Sequence, residues 1–97
     1  MIESTVEGYL GRQVRGLGGF CMKWVSPGSS GVPDRIVVLK GGRVIFVETK
    51  APGKKPRALQ RHLHAKLRSV GCDVRVIDTK EKVDLFIEEV RSETESV

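Results

Sequence analysis

Apolar side chains at Ile2, Val6, Tyr9, Leu10, Val14 and Leu17 recur at three- and four-residue spacing, predicting an amphipathic helix over 2–17. Gly16, Gly18 and Gly19 end it. The period then changes to that of strands. Phe20-Cys21-Met22-Lys23-Trp24-Val25 is rich in β-formers, as are 34–39 and 43–50, the last two joined by Lys40-Gly41-Gly42. Between the first two strands, Ser26-Pro27-Gly28-Ser29-Ser30-Gly31 reads as a flexible loop. A second helix is expected over 57–70, with Leu59, Leu63, Leu67 and Val70 on its buried side and Arg57, Arg61, His64 and Arg68 on its wet side. A strand follows at 72–77. Asp78, with Glu81 three residues on, then caps a short helix whose apolar face is Val83, Phe86, Ile87 and Val90. The acidic tail 91–97 is expected to fray.

The order α-β-β-β-α-β-α predicts a small mixed α/β sheet flanked by helices. The unit strand 43–50, helix, strand 72–77 should cross over right-handed with parallel strands, and the earlier strands should pair antiparallel. With 97 residues, 39% hydrophobic and 30% charged, the chain reads as one globular domain over 1–97. No apolar run reaches the ~20 residues of a membrane span. Acids stand at Glu3 and Glu7 where a secretion signal carries bases, so a cytoplasmic setting is expected. Cys21 and Cys72 are expected to be small buried residues rather than a disulfide.

Chemistry concentrates in Pro33-Asp34 and Glu48-Thr49-Lys50, charged residues placed in otherwise apolar strands. Side chains alternate along a strand, so Glu48 and Lys50 share a face about 6.5–7 Å apart. Two carboxylates on neighbouring strands repel unless a cation lies between them, and hard oxygen ligands suit Mg²⁺ or Mn²⁺. A lysine beside them can hold an attacking water and shield phosphate charge. Together these are parts for metal-assisted phosphodiester hydrolysis. The hairpin register tests this. A two-residue Gly41-Gly42 turn would put Asp34 and Glu48 on opposite faces. A three-residue Lys40-Gly41-Gly42 loop pairs Leu39 with Arg43, Ile36 with Phe46 and Asp34 with Glu48. Both registers bury apolar residues equally well, and the shared face requires the second, with Gly42 left-handed, or a bulge of the same parity.

These residues, on strands in this order, resemble the PD-(D/E)xK nuclease motif and its restriction-endonuclease-like core. With an early-helix Glu, Gly18-Gly19, Lys23-Trp24, Gly31-Val32-Pro33-Asp34-Arg35, Phe46-Val47-Glu48-Thr49-Lys50 and Gln60, the chain is similar to the virus-type replication-repair nuclease (VRR-NUC) domain over roughly residues 3–90. The resemblance implies that Asp34 and Glu48 bind the metal, that Lys50 is catalytic, and that Gln60 supports the site or orients DNA. Thr49 fills a permissive middle position. The resemblance also implies a helix-borne acid completing the metal set. Glu3 and Glu7 compete for this, and Glu7 is chosen as nearer the apolar stripe.

Lys+Arg total 17 against 12 Asp+Glu, a net charge of +5, but the charges are unevenly spread. Residues 81–97 carry six acids and two bases, leaving 1–80 with fifteen bases and six acids. Seven Lys/Arg and no acid lie between Lys50 and Arg68. Beside a phosphodiesterase site this argues for phosphate contacts by Lys54 and Lys55, with Arg57, Arg61, Ser29 and Ser30 as further DNA-binding candidates. The expected function is an Mg²⁺- or Mn²⁺-dependent endonuclease acting on DNA. Small single-domain members of the family resemble Holliday-junction resolvases, which implies a homodimer cutting branched DNA. A non-catalytic nucleic-acid-binding module and a sequence-specific restriction-type enzyme are the alternatives. Acids at a DNA surface count against the first, and the lack of a base-reading element against the second.

Overall fold

The computed structural model describes residues 5–95. Helix α1 (Val6–Gly16) starts where Thr5 accepts a hydrogen bond from the Gly8 amide at 3.0 Å. Strands β1 (Phe20–Lys23), β2 (Arg35–Leu39) and β3 (Arg43–Thr49) form an antiparallel meander. Helix α2 (Ala58–Ser69) carries the chain to β4 (Val74–Ile77), parallel to β3, and α3 (Lys80–Glu95) closes the fold. The sheet order is β1-β2-β3-β4. The turn from α1 into β1 is so tight that a Cβ on Gly19 would stand 2.7 Å from the Val38 carbonyl oxygen.

The hairpin takes the three-residue form. Lys40–Gly42 makes one tight turn with Gly41 and Gly42 both at positive φ, and Leu39 pairs with Arg43 and Ile36 with Phe46. The β2–β3 pairing ends at Arg35–Val47, and Asp34, the residue before β2, reaches across to Thr49, next to Glu48.

Alternation splits the sheet into two unlike faces. On one, Val37, Leu39, Ile45, Val47 and Ile77 pack against Leu10 and Val14 of α1 and Val83, Phe86, Ile87 and Val90 of α3. The other carries Phe20, Met22, Ile36, Val38, Val44 and Phe46, and Phe20 and Met22 are 66% and 49% exposed. Trp24 lies on this second face with its ring centroid 5.1 Å from that of Phe46. Among the described residues no helix is long and apolar enough to cross a membrane.

Three expectations need correction. The cap of α3 is Thr79, whose hydroxyl accepts from the Lys82 amide at 3.1 Å, while Asp78 pairs with the Lys82 ammonium at 2.8 Å. Of the tail 91–97, residues through Glu95 continue α3, with Glu93 on Arg43 at 2.9 Å and Glu89 on Arg75 at 2.6 Å, and residues 96–97 lie outside the described residues. In α2, Leu59 and Val70 are 55% and 78% exposed, and the buried positions are Gln60 and His64. Cys21 and Cys72 are free and half-buried.

Candidate active site

At the start of β2, Asp34 is held by one neighbour. The Thr49 amide donates to Oδ1 at 3.0 Å and the Thr49 hydroxyl to Oδ2 at 2.7 Å. The middle residue of Glu48-Thr49-Lys50 is therefore not merely permissive. It sets the orientation of the first carboxylate from the strand that carries the second. Only the pairing of β2 with β3 brings Asp34 and Thr49 within reach, and there the Thr49 hydroxyl and amide both donate.

Glu48 is buried near the end of β3. Its Oε2 faces the Lys50 ammonium at 3.2 Å and accepts from the Gln60 side-chain amide at 3.1 Å. The Gln60 Oε1 accepts from the Arg57 backbone N–H at 2.8 Å, which fixes which end of the amide meets Glu48. Gln60 thus serves the first turn of α2 and the carboxylate at once. Glu48 Oε1 lies 3.9 Å from Nε2 of the fully buried His64. Among the described residues, neither atom has a hydrogen-bond partner.

Both carboxyls are pushed above the usual carboxylate range. For Asp34 the cause is burial, opposed by the two Thr49 hydrogen bonds and aided by the charge of Glu7. For Glu48 it is burial and then the charge of Asp34, opposed by Lys50 and Gln60. Burial lowers the proton affinity of the His64 imidazole, and the charges of Arg68 and Lys50 act the same way. Two acids raised by burial, with the charge of Asp34 felt at Glu48 and one buried Glu48 oxygen bare, offer hard oxygens of the kind that suit a small divalent cation.

Of the two helix-borne acids, Glu3 lies outside the described residues. Glu7 lies in the first turn of α1, its carboxylate paired with the Arg35 guanidinium. Arg35 follows Asp34 directly, and its Nε is buried without a partner among the described residues. No three Asp, Glu, His or Cys side chains among the described residues converge into a ready-made metal cluster. The expected acidic trio is thus brought into one neighbourhood, with each member held by a different group.

Lys54, Lys55, Arg57 and Arg61 are exposed on the loop and first turn that lead away from Lys50, and Ser29 and Ser30 are exposed on the loop entering Asp34. Arg61 is partly committed, since its guanidinium donates to the Pro56 carbonyl at 2.7 Å. A cleft of about 640 Å³ opens on the other side of Lys50, between the N-termini of α1 and α3, with Glu7, Thr49, Lys50 and Lys80 in its wall. A smaller groove beside Glu7 is lined by Arg12, Arg15 and Arg35, basic residues that the sequence reading passed over.

No protein-family model matches the chain. It is 48% identical over 79 residues to "Putative nuclease p44" of Acyrthosiphon pisum secondary endosymbiont phage 1, covering 81% of this chain and 85% of that protein. A solved structure described as a VRR_NUC domain superposes with a TM-score of 0.82 at 36% identity, covering 86% of this chain and 90% of that one. The mixed sheet and the order α-β-β-β-α-β-α are those of this fold.

Proposed function

The chain belongs to the VRR-NUC nuclease family, and from that premise we propose that it is a divalent-metal-dependent endonuclease hydrolysing DNA phosphodiesters, in branched DNA such as Holliday junctions foremost. What supports this is the buried Glu48 carrying Lys50 at 3.2 Å, with the charge of Asp34 close enough to raise its pKa. Carboxyls raised by burial and by neighbouring acids, Glu7 at Asp34 and Asp34 at Glu48, would be relieved by a cation. Asp34 and Glu48 would hold Mg²⁺ or Mn²⁺, and Glu7 would complete the set by exchanging Arg35 for the metal. When bound, the cation supplies Lewis-acid activation of the phosphoryl oxygen and acidifies a water.

The remaining work falls to the chain's own groups. Thr49 keeps Asp34 aimed, and Gln60 keeps Glu48 aimed. Lys50, once turned from Glu48 towards the substrate, holds the attacking water and offsets charge developing on phosphate. Arg35, released from Glu7, becomes a phosphate contact one residue from Asp34. Lys54, Lys55, Arg57 and Arg61 line the strand's approach, with Ser29 and Ser30 across from them. Two active sites facing opposed strands suit a branched substrate, and the exposed apolar face of β1–β3 is the surface on which two copies would meet.

The test is cleavage of labelled four-way junction, linear duplex and single strand with Mg²⁺, Mn²⁺ or chelator. Metal-dependent cutting of the junction is expected. D34N and K50A should each slow cutting by about a hundredfold or more while sparing junction binding in chelator. No cutting of any substrate with either metal would replace this proposal with a binding module. Cutting of linear duplex at one sequence would replace it with a restriction-type enzyme.

A further inference from the structure

Helix α2 is turned inside out where it meets the sheet. Leu59 and Val70 are given to solvent, while Gln60 and His64, one turn apart on the same face, are 6% and 1% exposed. Burying polar side chains in place of available leucines is unfavourable unless they meet partners. Gln60 meets two, the Arg57 amide and Glu48 Oε2. His64 Nε2 faces the other oxygen of the same carboxylate across 3.9 Å, and among the described residues both atoms are buried and unbonded. The i,i+4 pair is thus aimed at the two oxygens of one carboxylate.

We propose that His64 is a second positioning residue for Glu48, donating its Nε2–H to Oε1 when the carboxylate takes up its working position. This rests on the nuclease reading given above. The gap exceeds a good N–H···O distance by about 1 Å, and such contacts often tighten only in the loaded site. The need for it follows from Lys50. Lys50 and Gln60 share Oε2, at 3.2 and 3.1 Å, so a Lys50 that turns to the water strips Glu48 of one of its two partners. An imidazole below the carboxylate replaces that partner without bringing positive charge towards a cation. Gln60 and His64 then grip Glu48 from α2 while Lys50 is free to move.

Two measurements test this on the whole chain. Long-range ¹H–¹⁵N correlation of the His64 ring, in chelator and with Mg²⁺, should show the neutral Nε2–H form in both, its proton shifting downfield with Mg²⁺. A bare Nε2 with the proton on Nδ1 overturns the proposal. In Mn²⁺ titrations followed by electron paramagnetic resonance, H64L should bind about tenfold or more weakly. H64Q, which restores an N–H at that reach, should recover to within a few-fold of wild type, and H62L, altering an exposed ring on the same helix, should not change binding. H64L with wild-type Mn²⁺ affinity overturns the assignment of His64 alone. A wild-type chain that binds no Mn²⁺ overturns the nuclease reading itself and this inference with it.

Discussion

Asp34 shows what one residue contributes to the candidate site. Burial and the charge of Glu7 raise its pKa, so the folded chain binds this proton more tightly than the unfolded chain does. Such a group favours the fold at low pH, and that support is withdrawn as pH rises through the carboxylate range. Asp73 and Glu89 act in the opposite sense. Hydrogen bonds from Arg75 lower both, so they support the fold above the carboxylate range and lose that support as pH falls. In chelator at pH 7, D34N should therefore be more stable than wild type, by about 1 kcal/mol, or several degrees in Tm. The amide keeps both Thr49 contacts, because a threonine hydroxyl accepts as well as donates. It also removes the charge that raises Glu48. The advantage should shrink as pH falls from the raised folded-state value of Asp34 to the ordinary Asp value and be gone below it, as followed by thermal melts across pH. An unchanged advantage at pH 3 would mean that Asp34 packing, not its ionisation, is responsible. Asp34, Glu48 and Lys50 were legible from residue type and spacing. The parts played by Thr49 and Arg35 were not, because each answers a partner that only the folded chain brings within reach.

At the scale of the element, α2 and α3 show where periodicity succeeds and where it misleads. The span of α2 was readable, but the side it buries was not. Apolar count favours Leu59 and Val70, whereas the buried Glu48 needs donors and draws Gln60 and His64 inward. The glutamine was singled out through family resemblance. His64 looked like one member of a solvated stripe. Helix α3 turns on a similar local competition, in which two adjacent residues can each cap. Thr79 takes the position, and Asp78 is drawn to Lys82. T79A should accordingly cost about 1 kcal/mol, while D78A, which removes the pair with Lys82 and a backbone hydrogen bond from Gly53 but no cap, should cost less. Denaturant unfolding of both variants checks this, and the reverse order would move the cap back to Asp78.

On the scale of the whole molecule, the charge that pointed to nucleic acid is arranged rather than averaged. Three acids of α3 are spent across the fold: Glu93 on Arg43, Glu89 on Arg75, and Asp84, which accepts from the Tyr9 hydroxyl at 2.6 Å. The bases following Lys50 stay at the surface beside the candidate site. The sheet is equally one-sided, with α1 and α3 covering one face and Phe20, Met22 and Val44 left exposed on the other. If two copies meet there, wild type should sediment as a dimer and M22K as a monomer with unchanged circular dichroism. M22K should also lose junction cutting more than junction-independent Mn²⁺ binding. A wild-type monomer at micromolar concentration would remove the dimer. The parity of the hairpin waited on the fold, but the sequence by itself determined the order of elements and the three charged groups of Asp34, Glu48 and Lys50. Those follow from side-chain period, glycine turns and residue chemistry, all of which act over a few neighbours. Tertiary structure alone decided that α2 buries polar residues, that Glu7 rests on Arg35, that Thr49 holds Asp34, and that the acidic end is a pinned helix. Each of these depends on a charge or polar group far along the chain finding its partner once burial has removed water from around it.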